Sequence, residues 1–201
     1  MRSFDLFPIL VTEYELGRDL TEKEIQVIEN KLLHLKQNEG NKYSVDTQVL
    51  DDENLVELRL FCEQSIKDFS RQFFERELNL RITQSWLNKN VTGEYHHKHC
   101  HPNSFISGVF YVKAQSEDKL HFHNQNPRVR YFVDSTKNWN KWNSPSWWLP
   151  AQQGCLLVFL SDTEHSVGAT SSKERISLSF NTFLDEDYGS PDNLTFLPKE
   201  K

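Results

Sequence analysis

Gly93-Glu94-Tyr95-His96-His97-Lys98-His99-Cys100-His101-Pro102-Asn103-Ser104 leads without a break into Phe105-Ile106-Ser107-Gly108-Val109-Phe110-Tyr111-Val112. Four histidines fall within six residues. On an extended backbone side chains alternate, so His99 and His101 project to one face with Cys100 opposite them. Two imidazoles side by side at a strand end form two adjacent corners of a metal coordination sphere. The strand-turn Phe159-Leu160-Ser161-Asp162-Thr163-Glu164-His165-Ser166-Val167 supplies a third in His165. Three protein ligands on one face, with the remaining positions open, suit a non-haem ferrous ion. A third histidine in place of the usual carboxylate removes one negative charge, which weakens ferrous affinity and alters reactivity. Glu94, Asp162 and Glu164 are nearby acids, but none has the spacing of His101. Zinc also accepts three imidazoles, so a structural metal site or an accidental cluster is the competing reading. Alternation places His97 on the face of His99 and His96 on the other, both away from the strand end. They read as supporting or solvent-facing histidines. His121 and His123 alternate on a later strand and suit a pocket wall or a packed strand face rather than a second metal centre.

Ten residues after His165 comes Arg175, opening Arg175-Ile176-Ser177-Leu178-Ser179-Phe180-Asn181. Arg175, Ser177 and Ser179 share one face, and Ile176, Leu178 and Phe180 the other. A guanidinium beside a hydroxyl on a barrel interior is what a bidentate carboxylate grip requires. Without an anionic partner, such an arginine is costly to desolvate. The alternative is an internal salt bridge or an outward-facing arginine. Tyr111 can offer a phenolic hydroxyl to the same carboxylate. Asn88 and Asn181 are weaker candidates, for hydrogen bonds to substrate or cofactor, since buried asparagines equally often satisfy backbone groups.

Around this constellation the chain reads as mainly β with N-terminal helices. Phe4 to Val11, apolar with Pro8, suggests an edge strand. Thr21 and Glu24 form a capping box ahead of Ile25, Ile28, Leu32 and Leu35, a helix ending near Gly40. Leu55, Leu58, Cys62, Ile66, Phe69 and Phe73 mark a second helix from about Asp52. Each helix has one apolar face and is expected to pack on a sheet. Short β-rich segments follow: 81–87, 105–114, 119–123, 129–133, 147–149, 155–160, 165–169 and 175–184, the pattern of a sandwich or barrel. Asp134 to Pro150, rich in Trp and Asn, is either a lid or substrate wall or a flap whose indoles seal the core. The tail 185–201 reads as a loosely held extension.

At 201 residues and 23.8 kDa, one substantial domain is expected over 1–201, with helical support about 1–80 and a β core about 81–184. Fourteen Phe and five Trp are a surplus suited to broad β surfaces and compatible with a homodimer. The net charge of −6 disfavours nucleic acid as a partner. Three cysteines without CxxC spacing argue against a disulfide framework and a thiolate zinc site, and for a reducing cytoplasm. Cys62 and Cys155 are expected to be buried thiols. Phe4 to Val11 is too short for a signal peptide or a membrane span.

These residues resemble the 2-oxoglutarate and Fe(II)-dependent oxygenases of the double-stranded β-helix (jelly-roll, cupin-like) superfamily. The prolyl-hydroxylase-like branch carries a glycine, then six residues on His-x-Asp, then a distal His and about ten residues later an Arg. Gly93, His99, His101, His165 and Arg175 reproduce those intervals, with His101 where Asp is usual. Trp86-Leu87-Asn88, the His-x-His-Pro run, 107–112 and 174–181 are similar to a subgroup common in bacteria and phages, in which His-x-His is typical; for a phage protein the compartment is the host cytoplasm. The resemblance covers roughly 84–184. It implies a hydroxylating dioxygenase using Fe(II), 2-oxoglutarate and O2, with ascorbate as an optional reductant and succinate and CO2 as products. His99, His101 and His165 then hold the iron, and Arg175 with Ser177 and Tyr111 the distal carboxylate of the oxo acid. The substrate, a peptidyl or free amino acid among other classes, is not legible. A trihistidine cupin-like dioxygenase needing no oxo acid is the first rival. A non-catalytic, metal-stabilised binding module using the Trp-rich loop is the second.

Overall fold

In the computed structural model, which describes residues 1–199 except 3, 6 and 126–137, the sorting of side chains on β11 (Glu174–Leu184) organises the whole molecule. Ile176, Leu178 and Phe180 face a core shared with Leu58, Cys62, Ile66 and Phe69 of α2 (Val56–Phe74). Arg175, Ser177 and Ser179 face the other way, into a cavity between two sheets. The strand is the centre of a seven-stranded sheet because both its edges are occupied. It pairs with β4 (Leu80–Val91) on one side and β6 (Ile106–Lys113) on the other.

Beyond β6 lie β9 (Cys155–Leu160) and β1 (Val11–Glu15), and beyond β4 the hairpin β3 (Lys42–Ser44) and β2 (Leu35–Gln37). A four-stranded sheet of β5 (His96–His99), β10 (His165–Val167), β7 (Lys119–His123) and β8 (Ser146–Pro150) covers the inner face. The fold is a double-stranded β-helix, mainly β with N-terminal helices on the outer side of the larger sheet. Between the sheets a second apolar cluster, including Tyr111, Leu120, Phe122, Leu157 and Phe159, fills one end and leaves the other for polar groups.

Local chemistry explains the elements and their departures from expectation. The helix α1 (Glu22–Lys31) starts as its capping box requires: Glu24 N donates to Thr21 Oγ1 at 3.3 Å and Thr21 N donates to Glu24 Oε2 at 2.7 Å. It stops at Lys31 rather than near Gly40, because Asn38-Glu39-Gly40-Asn41 forms the turn of the β2–β3 hairpin, closed by Asn38 N donating to Asn41 O at 2.8 Å. The apolar period through Leu35 thus crosses from helix to strand. The N-terminal edge strand exists but begins at Val11, after Pro8, whose missing N–H cannot join a ladder. The expected strand 129–133 lies outside the described residues. No helix among the described residues is long and apolar enough to cross a membrane.

Candidate metal centre and carboxylate pocket

The structure brings His99, His101 and His165 together. β5 and β10 pair with His99 directly opposite His165, so both side chains leave the sheet on the same face. His101, two residues past the end of β5, reaches the same point, and one ring nitrogen of each histidine lies within 4.8 Å of the others. His99 Nδ1 donates to His97 O at 2.8 Å and His165 Nδ1 donates to Thr163 O at 2.9 Å. A carbonyl can only accept, so both rings carry their proton on Nδ1 and present a bare Nε2 to the centre. His101 Nε2 stands 3.3 Å from His165 Nε2. Two nitrogens each about 2.1 Å from one ion stand about 3 Å apart, so little adjustment is needed. Burial pushes the pKa of His165 down to about 3 and that of His101 to about 4, each helped by the neighbouring His99, and His99 itself is lowered by burial. Neutral imidazoles are what a cation requires.

His96 departs from the expected alternation. The four residues of β5 oppose only three of β10, and this irregularity turns the His96 ring back onto His99, with ring centroids 4.3 Å apart. His96 therefore lines the cavity between the histidines and Arg175. His121 and His123 take the packed-face alternative. His121 sits in register with Ser166 and Trp148, and His123 Nε2 meets Ser166 Oγ at 2.8 Å, on the side away from His165.

Arg175 is 2% exposed and has no carboxylate partner among the described residues. Its Nε, Ser177 Oγ, Tyr111 Oη and Asn88 Oδ1 are buried with no hydrogen-bond partner among the described residues. These atoms converge because Asn88, Ser177 and Tyr111 stand in one row across β4, β11 and β6. The Arg175 guanidinium also lies 5.3 Å from the Tyr111 ring centroid. A buried charge ringed by unanswered polar atoms is strongly unfavourable unless an anion fills the space. No internal salt bridge to Arg175 forms among the described residues, and the pocket fits a carboxylate.

Sequence reasoning missed Asn90, the register partner of Arg175, which is fully buried with both side-chain polar atoms unpartnered. Its position two residues beyond Asn88 on the same strand is the signal that could have found it. Asn181 meets the histidine cluster, with Nδ2 3.3 Å from His101 Nδ1. Trp139 and Trp142 are exposed, so these indoles of the Trp-rich loop do not seal the core. Trp142 Nε1 and Lys141 Nζ instead both donate to Asp5, at 2.9 and 2.8 Å. Trp147, half-exposed on β8, shares the inward face with Phe122 and His165 across adjacent strands.

Residues 84–181, which hold every group of the metal centre and the pocket, match the family described as "Putative 2OG-Fe(II) oxygenase". Over this span the chain resembles the 2OG-Fe(II) oxygenases. It is accordingly an oxidoreductase that works with iron and 2-oxoglutarate. Among solved structures, the carbocyclase SnoK from nogalamycin biosynthesis is 14% identical with a TM-score of 0.61, covering 96% of this chain and 88% of that one. A prolyl-4-hydroxylase from Pseudomonas putida is 13% identical with a TM-score of 0.57, over 85% and 91% of the two chains. The viral collagen prolyl hydroxylase from Paramecium Bursaria Chlorella virus-1, solved with 2-oxoglutarate, is 10% identical with a TM-score of 0.57, over 86% and 94%. At such identities these likenesses speak for the fold of the oxygenase alone. No curated protein matches the chain.

Proposed function

We propose that His99, His101 and His165 hold the iron and that Arg175, Ser177 and Tyr111 grip the distal carboxylate of 2-oxoglutarate, in an enzyme that hydroxylates a peptidyl or free amino acid. One oxygen atom of O2 enters the substrate and the other enters succinate, with CO2 released. The observation that carries this reading is the buried Arg175, which meets no carboxylate among the described residues, in the same cavity as the three histidines. A dioxygenase that used no oxo acid would have no call for that guanidinium.

Bound iron supplies the redox chemistry that activates O2. The chain's own residues bind, orient and exclude water. Arg175 contributes a fixed fork of donors, Ser177 and Tyr111 add hydroxyls, and their rigidity on paired strands means that little order has to be gained on binding. Asn90 sits beside Arg175 and adds an amide to the same wall. At the other end, His99 and His165 are already held in the ligating tautomer.

His101 is different. Ser107 Oγ donates to Asn181 Oδ1 at 2.8 Å, which turns Asn181 Nδ2 toward His101 Nδ1 and leaves the His101 proton on Nε2. To hold the metal through Nε2, His101 would need that proton on Nδ1, and Asn181 would then offer its oxygen. The hydroxyls of Ser107, Ser161 and Ser104, linked at 2.7 Å each, can reverse direction with it, because a hydroxyl both donates and accepts. Asn181 is thus a positioning residue for the third ligand.

The three cysteines are all free, which supports a reducing cytoplasm as the working compartment. The test is anaerobic titration of the Fe(II) protein with 2-oxoglutarate, followed by the visible charge-transfer band of the chelate. The band should form in wild type and weaken strongly in Arg175→Ala. Its absence from properly loaded wild-type protein would sink the assignment in favour of an oxo-acid-independent dioxygenase.

A further inference from the structure

A second set of metal donors lies on β5, sharing one member with the set described above. His96, His97 and His99 each offer a ring nitrogen within 4.8 Å of the others. Neighbouring residues of a regular strand point apart, so His96 and His97 meet only because of the irregular register between β5 and β10. The His96 and His97 ring centroids are 5.1 Å apart, as are those of His97 and His99. His97 Nδ1 is buried without a hydrogen bond.

Among the described residues, one acid stands against this group. Glu39 Oε2 is 3.9 Å from His97 Nδ1, at the tip of the β2–β3 hairpin. The tip is docked by Gly40, whose carbonyl accepts from Tyr95 N at 3.0 Å. Gly40 has φ +86°, and a Cβ there would meet the Tyr95 carbonyl oxygen at 2.7 Å, so only glycine brings the hairpin this close. Asn38, on the same tip, places Nδ2 3.2 Å from His96 Nε2, leaving His96 Nδ1 for other partners. The arrangement is therefore built from two separate parts of the chain. It is not the chance product of a histidine-rich run.

We propose that His96, His97 and His99, with Glu39, form a second site for a zinc-class divalent cation, mutually exclusive with the iron site because both need His99. Three imidazoles and one carboxylate are a complete tetrahedral donor set for zinc, whereas the His99, His101 and His165 face leaves positions open. His99 has only one nitrogen to give, because its Nδ1 is held by the His97 carbonyl. Zinc in the second site withdraws that nitrogen from the iron site and so opposes iron loading. The competition rests on the ligand assignment proposed above, whereas the existence of the second site does not.

The test uses the full chain, freed of metal and dialysed against zinc, with metal content measured directly. Wild type should hold one equivalent. His101→Ala/His165→Ala, which removes two proposed iron ligands and none of the second set, should still hold one. Adding His97→Ala to that pair should weaken zinc at least about tenfold. Cobalt(II) in the double variant should show the intense visible bands of four-coordinate geometry. A natively folded double variant that takes up no zinc, or one indifferent to His97→Ala, overturns the second site, and two equivalents in wild type overturn the sharing. Should the double variant misfold, His97→Gln alone decides: the zinc needed to abolish the iron-dependent 2-oxoglutarate band should rise about tenfold, and no change overturns the proposal. Persistence of that band in the double variant would instead refute the iron ligands, leaving the zinc result to judge the second site by itself.

Discussion

On the four-stranded sheet, His99 and His165 each give their Nδ1 proton to a nearby carbonyl, so their free nitrogens are aimed before any metal arrives. On the inner face of the seven-stranded sheet, Arg175, Ser177 and Asn88 line the same cavity, and with Tyr111 they carry polar atoms that no described residue answers. One wall of the cavity is satisfied and pre-aimed; the other is unsatisfied and poised. Under the proposed function, metal affinity is set by orientation, whereas the affinity for the oxo acid comes from relief of a buried, unpaired charge.

Breaking the pre-aimed wall should have the largest effect. His165→Ala should abolish stoichiometric Fe(II) binding, a loss beyond the roughly 10–100-fold expected when only a ligand's supporting partner is removed, as equilibrium dialysis would show. Arg175→Met comes next and separates the two walls. It should weaken 2-oxoglutarate by about 3 kcal/mol, roughly 100-fold, with Fe(II) affinity unchanged. In the same variant the ligand-free protein should gain stability, by about 1–4 kcal/mol in denaturant titration, because an uncompensated charge has left the interior. A destabilised Arg175→Met would show that the guanidinium already has a partner.

Asn181→Leu should reduce Fe(II) affinity about 10–100-fold while sparing the oxo-acid grip, with Asn181→Gln recovering part of the loss. An Asn181→Leu variant that binds iron normally but loses 2-oxoglutarate would move Asn181 to the other wall. The mildest effect is that of pH on the metal-free protein. His101 and His165 titrate near pH 4 and 3 when folded and near 6.5 when unfolded, so the unfolded chain takes up protons first as pH falls. Stability should be flat above pH 6.5 and decline below it, by at most about 1 kcal/mol per histidine at pH 6. Saturating Fe(II) should deepen the decline, since protons then also displace the metal.

Much of this was legible in the sequence because it rests on periodicity. Alternation in 175–181 gave both faces of β11, the three- and four-residue spacing gave α2, and the interval from His99 to His165 and Arg175 named the groups that meet. What escaped was set by pairing rather than pattern. Lys36, Gln37, Lys42 and Tyr43 carry no apolar alternation, since their hairpin lies at the sheet edge, so β2 and β3 were hidden behind the period of α1. His96 was sent to the wrong face because a register slip between β5 and β10 leaves no trace in either strand alone. Asn90 was overlooked since an asparagine gives no hint of going unpaired until its neighbour across the ladder is known to be Arg175.

The alternation of β11 has a consequence for how this protein can change. Odd positions from Arg175 to Ser179 line the cavity and even positions from Ile176 to Phe180 carry cohesion, so the two vary as nearly independent texts written on one line. Substitution at odd positions can retune what the cavity accepts without loosening the helices behind it. Inserting one residue between Ser177 and Ser179 would exchange the texts and lose both at once.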